Sequence, residues 1–179
     1  MDYYSNGTLY DMIEGDQIPP ETVVVDHILR PVCKALSTVH SHEINHLDIK
    51  PENILIDDNG FASLSDFGIA KQYDEQGQEM MRENPGNTRA FAPLEQKHGE
   101  LTTFAPEADI YALAGTLYFT FTRKLPRPIY ERSGVTLSLM EKDLAHVSDR
   151  MRNAIILGLQ ASANLRPKSI DEFQTLIMG

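Results

Sequence analysis

The run His46-Leu47-Asp48-Ile49-Lys50-Pro51-Glu52-Asn53, followed by Asp66-Phe67-Gly68, holds residue types suited to moving a phosphoryl group. That reaction asks a protein for positioning and charge rather than for covalent chemistry. A hydroxyl attacking phosphorus needs a carboxylate to orient it and take its proton, and Asp48 fits. Charge building on the transferred group needs a cation, and Lys50, two residues on, fits. Mg²⁺ takes hard oxygen ligands and keeps few protein contacts; Asn53 and Asp66 supply such oxygens. Between them, Ile54-Leu55-Ile56-Asp57, Asp58-Asn59-Gly60 and Phe61-Ala62-Ser63-Leu64 read as a β-hairpin with an Asn-Gly turn. That hairpin would bring the two oxygens together. Asp-x-Lys alone is common, and Asp-Phe-Gly alone can be an ordinary turn, so the ordered set carries the reading.

Helical patterns surround the set. Thr8 to Glu14 reads as a short helix. Residues 22–42 place Val24, Val25, Ile28, Leu29, Val32, Leu36 and Val39 at helical spacing, with Pro31 as the one blemish. Residues 69–100 are polar, contain Gly and Pro and show no period, which predicts a long functional or disordered loop. Helical pattern resumes at Pro106 and is clearest over 149–160 and 169–178, where Ser169 and Glu172 form a capping-box signature. No linker or repeat divides the 179 residues.

Composition narrows the partners. Hydrophobic content of 41% and charged content of 23% are ordinary for a globular domain. A formal net charge of -10 argues against a nucleic-acid surface, which needs clustered Lys and Arg, and against docking to anionic membranes. The single cysteine, Cys33, excludes an internal disulfide and reads as a small core residue. The apolar run from Ile110 to Phe121 is too short to span a bilayer. The first residues lack the basic start of a signal peptide, so a cytoplasmic location is expected.

The Asp48–Asn53 and Asp66–Gly68 motifs resemble the catalytic loop and metal-binding motif of eukaryotic-type protein kinases, and the resemblance runs through essentially the whole chain. A lysine two residues after the aspartate is the serine/threonine pattern. The resemblance implies a mainly α fold: the large, C-terminal lobe of a kinase, with a small β-hairpin carrying the catalytic and metal-binding loops. Residues 1–179 would then run from the hinge to the end of that lobe. It implies ATP and Mg²⁺ as cofactors and transfer of the γ-phosphoryl group to a protein Ser or Thr hydroxyl. Met1-Asp2-Tyr3-Tyr4 looks like the hinge, with Asp2 and Tyr4 backbone facing adenine and Leu55 beneath the ring. Asp48, Lys50, Asn53 and Asp66 would be catalytic, with Asn53 and Asp66 holding the metal. Thr88 matches the threonine that contacts the catalytic aspartate and lysine. Glu52 lies where basic-directed kinases hold substrate arginines. His46 would brace the catalytic loop and Gly68 would complete the metal-binding turn. Glu95, in Pro93-Leu94-Glu95, and Arg166 match the ion pair that anchors the activation segment. Asp109, in Asp109-Ile110-Tyr111, matches the aspartate that holds the catalytic loop backbone.

Two departures refine this. Leu47 replaces the arginine that receives an activation-loop phosphate. The glycine-rich loop, strand lysine and helix glutamate are not in these residues, so a lone lobe should bind ATP weakly. A non-catalytic scaffold or decoy is therefore the competing reading, with apolar surface near the hinge and Leu55 open to a missing small lobe or to self-association. A small-molecule kinase of the aminoglycoside type is opposed by Glu95, Asp109 and Arg166. His40, His42 and His46 allow a metal-site reading, but their place at a helix end before the loop favours structural roles. Because Leu47 cannot grip a phosphate, switching by loop phosphorylation is not expected.

Overall fold

The structure is a computed structural model that describes residues 7–15, 18–66, 88–101, 103–130 and 134–179. It is mainly helical with one small antiparallel hairpin among the described residues, as the sequence predicts. The expected hinge residues Asp2 and Tyr4, together with Gly68, lie outside the described residues.

Helix α1 (Leu9–Glu14) opens on a full capping box: Asp11 N donates to Thr8 Oγ1, and Thr8 N donates to the Asp11 carboxylate at 2.8 Å. The long helix expected over 22–42 forms in three parts: α2 (Glu21–Val23), a π-helical stretch (Val24–Leu29) and α3 (Arg30–His40). Pro31 accounts for the π-helical stretch. It has no N–H to give and its ring would strike the carbonyl four residues back, so the backbone widens and Arg30 N donates to Val25 O. Val24, Ile28, Leu29, Val32, Cys33 and Leu36 are all buried along the resulting face.

Strands β1 (Ile54–Ile56) and β2 (Ala62–Leu64) pair antiparallel, Ile54 opposite Leu64 and Ile56 opposite Ala62. Ile54 and Ile56 are buried, while Leu55 faces the other way and is half-buried. The connection differs from a two-residue Asn-Gly turn. Asp57 N donates to Phe61 O, and the Asp57 carboxylate accepts from Asn59 N at 2.9 Å and Phe61 N at 2.8 Å. Gly60 has φ 82 and Asn59 does not share its positive φ, so an aspartate-organised loop replaces the primed turn. Phe61 then stacks on His27 of the π-helical stretch, with ring centroids 4.4 Å apart.

The polar region after the hairpin contains two short helices, α4 (Thr88–Phe91) and α5 (Leu94–Lys97); residues 67–87 lie outside the described set. Helix α6 (Pro106–Thr122) is the centre of the fold, buried continuously from Ala108 to Phe121. Its hydroxyls close on their own helix, Thr116 to Ala112 O and Thr120 to Thr116 O. Helix α7 (Gly134–Asp143) is tied to it by Tyr118, whose hydroxyl donates to Asp143 at 2.8 Å. Helices α8 (Asp149–Gly158) and α9 (Ile170–Met178) pack on α6. Ser148 caps α8 and donates from N and Oγ to Glu21, which joins the start of α2 to α8. At α9 only half of the expected capping box forms. Glu172 N donates to Ser169 Oγ, but the Glu172 carboxylate takes Lys168 N, one residue earlier than the motif requires.

The α6–α8 approach depends on Gly158: a Cβ there would stand 2.4 Å from Ala114 Cβ and 3.3 Å from Phe173. Gly158→Ala should therefore destabilise by about 1–3 kcal/mol through overpacking, despite alanine's better helix propensity. Urea unfolding checks this, and a gain in stability would contradict it.

Candidate active site

The segment from Asn45 to Asn53 has little regular structure of its own, so neighbouring side chains hold its shape. Asn45 clasps Ala105 in both directions, Nδ2 donating to its carbonyl at 2.9 Å and Oδ1 accepting from its N–H at 2.8 Å. The Asp109 carboxylate, fully buried on α6, accepts from His46 N, from Leu47 N and from His40 Nε2, each at 2.8 Å. Leu47 sits at φ 62, a left-handed conformation costing a non-glycine residue about 1–2 kcal/mol. Two charge-assisted bonds at roughly 1.5–3 kcal/mol each offset that cost. Gln96 of α5 adds a third restraint, donating from Nε2 to Leu47 O at 2.7 Å.

His46 is buried and spans the loop and the hairpin. Its Nε2 meets Ser65 O at 3.0 Å and its Nδ1 accepts from Asp48 N at 3.3 Å, which selects the neutral tautomer protonated at Nε2. His42 meets Thr38 O, and His40 meets Asp109. Each of the three histidines therefore has a protein partner. Among the described residues no group of three or more His, Cys, Asp or Glu could hold a metal ion.

On this frame the polar groups converge. Lys50 Nζ lies 3.1 and 2.8 Å from the two Asp48 carboxylate oxygens. Asn53 Nδ2 donates to Asp48 O and to Asp48 Oδ2, both at 2.8 Å, which leaves Oδ1 as the acceptor end of its amide. Ser65 donates from both N and Oγ to Asn53 O at 2.9 Å. The residue before Asp66 is thus pinned to Asn53. Asp66 itself is exposed at φ 61. A carboxylate and an amide oxygen carried by two tied segments suit a small hard cation such as Mg²⁺. Thr88 begins α4, and its side chain is outside the described set. Glu52 is half-buried, with Oε2 inside the protein and no hydrogen-bond partner among the described residues.

A second buried charge fixes α5. All five Arg166 N–H donors are engaged: two with Glu95, at 2.5 and 3.2 Å, and three with the carbonyls of Gln160, Glu107 and Ala161. Its guanidinium also lies over the Tyr111 ring, 4.8 Å from the centroid. Burial pushes the Tyr111 hydroxyl up to about 12. Asn45 and Gln96 were missed by sequence reasoning. Their partners lie 60 and 49 residues away, and an isolated Asn or Gln offers no periodic signal.

Burial, working against the nearby Asp109 charge, holds the His46 imidazole below its usual range. The unfolded chain therefore binds more protons below about pH 6.5, so this stability is complete above that pH and is lost as pH falls. Stability measured by urea at pH 7.5 and 5.5 should drop across that interval, and less so in His46→Gln. Equal drops in the two proteins would contradict the assignment.

Known proteins resemble this chain in sequence and fold. The protein kinase domain family matches residues 1–173. A probable serine/threonine-protein kinase of Dictyostelium discoideum is 34% identical over 125 residues, covering 70% of this chain and 9% of that protein. Serine/threonine-protein kinase PknB of Mycolicibacterium smegmatis is 33% identical over 129 residues, covering 70% of this chain and 20% of its own length. The chain thus spans well under a third of either relative. A solved structure described as PpkA-294 in its apo form superposes with a TM-score of 0.73 at 26% identity, covering 98% of this chain and 61% of the other. The chain accordingly belongs to the protein kinase family, and within it to the protein-serine/threonine kinases.

Proposed function

We propose that this chain is the part of a serine/threonine protein kinase that orients the accepting hydroxyl and holds the metal while the ATP γ-phosphoryl group moves. The convergence of Lys50 Nζ and Asn53 Nδ2 on the Asp48 carboxylate is the observation that carries this reading. Asp48 holds the substrate hydroxyl and takes its proton. Lys50, already beside that carboxylate, presents its ammonium to the transferred group. Asn53 and Asp66 would hold Mg²⁺, which when bound neutralises charge on the phosphate oxygens. Leu55, half-buried on the face opposite Ile54 and Ile56, would meet the adenine ring, and this reading assigns the adenine edge to the backbone of Asp2 and Tyr4. Thr88 completes the site for a Ser or Thr hydroxyl.

For the substrate we favour a basic peptide. Glu52 carries a buried carboxylate oxygen without a partner among the described residues, and a guanidinium or ammonium would satisfy it. Its surroundings are acidic: the charge of Glu14 first, with Glu52 and Asp11 contributing, pushes the Tyr10 hydroxyl above its usual range. Among the described residues no helix is long and apolar enough to cross a membrane.

The chain, and a form extended upstream through a glycine-rich loop and strand lysine, can be incubated with Mg-ATP and a basic protein. Phosphate incorporation by the extended form should fall about 10²–10⁴-fold in Asp48→Ala. Absence of incorporation by either folded form would overturn the reading and favour a scaffold. With Glu52→Gln, KM for an arginine-containing peptide should rise while KM for ATP holds; an unchanged peptide KM would remove Glu52 from substrate recognition.

A further inference from the structure

The Leu47–Asp48 peptide is the least comfortable part of the candidate site. Leu47 is in the left-handed region, and Asp48, which bears the converging carboxylate, follows it directly. Asp109 holds the amide before Leu47 and the amide of Leu47 itself. Those bonds leave rotation about the Leu47 ψ angle unfixed, and that angle aims Asp48. Two bonds act there: Asp48 N donates to His46 Nδ1 at 3.3 Å, and Gln96 Nε2 grips the Leu47 carbonyl at the shorter distance of 2.7 Å.

The location of Gln96 makes this restraint informative. It follows Glu95 directly, and Glu95 is held by the buried, fully satisfied Arg166. The donor on Leu47 O is thus fixed by an ion pair with no exposed face on the arginine side. The sequence offers little alternative anchor: residues 67–87 contain no serine or threonine, and Tyr73 is their only hydroxyl. Leu47 has no charge to receive a phosphate in any case.

We propose that Gln96 is a positioning residue that sets the Leu47–Asp48 peptide through the Leu47 carbonyl, so that the Glu95–Arg166 pair, and not a phosphate, orders this loop. The proposal rests on the phosphoryl-transfer reading of Asp48 for its consequence but not for the contact itself. It makes the ordering of the loop a fixed property of the folded chain instead of a switched one.

Gln96→Met tests it, because methionine keeps the length and removes the donor. In the chain itself, the Leu47 carbonyl ¹³C resonance should move upfield as its hydrogen bond is lost, with the unfolding midpoint unchanged. In the upstream-extended form, kcat for peptide phosphorylation should fall roughly 10–100-fold, with KM for ATP and peptide unchanged. His98→Ala, an exposed neighbour, should alter neither readout. Phosphatase treatment of the wild type should leave its rate unchanged. An unmoved Leu47 resonance, an unchanged kcat in Gln96→Met, or a rate that collapses on dephosphorylation would each overturn the proposal. If the wild type transfers no phosphate while the resonance still moves, the contact is upheld and the phosphoryl-transfer reading is what fails.

Discussion

Everything around the candidate site depends on one buried carboxylate, that of Asp109. It lies in the first turns of α6, where the helix N-terminus favours negative charge. Removing such a group from water is costly unless its oxygens are filled. The loop fills them: two consecutive backbone amides, the His40 ring and, at 3.3 Å, the Asn45 amide all turn toward it. The satisfaction is mutual. The carboxylate needs donors to remain charged and buried, and the loop amides need an acceptor because no helix or strand supplies one. Leu47 can stay in a strained conformation because the strain is smaller than the loss of those two bonds.

Helix α6 gains from this a second role beside packing. Its apolar length forms the core, and its first turns carry the polar contacts that place the loop. Arg166 uses the same region from the other side, donating to Glu107 O and lying over Tyr111 while it holds Glu95. Two buried charges of opposite sign therefore reference the loop and α5 to one rigid element. Asp48, Lys50 and Asn53 inherit their positions from it, and Ser65 passes that placement on toward Asp66 through its paired bonds to Asn53 O. A site assembled this way needs little rearrangement to present a carboxylate, a cation and hard oxygens together, which is the requirement of phosphoryl transfer.

Much of this could be read from the sequence, for physical reasons. Helical periodicity along 22–42 and the unbroken apolar run of α6 report burial directly, because each follows from the side on which residues face the core. The short spacing of Asp48, Lys50 and Asn53 reports one loop. What could not be read depends on partners remote in sequence or on backbone choices between near-equal options. Pro31 marks a disturbance but does not say whether the helix breaks, kinks or widens. Asn59-Gly60 favours a primed turn until Asp57 offers its carboxylate to two amides. Glu172 stands at the capping-box position, yet the neighbouring Lys168 amide captures its side chain. Asn45 and Gln96 act on partners brought near only by folding.

Amide hydrogen exchange in Asp109→Asn tests the central claim most directly. Asparagine keeps the shape but has one acceptor oxygen, so it cannot receive both His46 N and Leu47 N. Exchange at one or both of these amides should accelerate strongly, while amides in the middle of α6 remain protected. Unchanged protection at His46 and Leu47 in a folded variant would show that the loop holds its shape without the Asp109 charge.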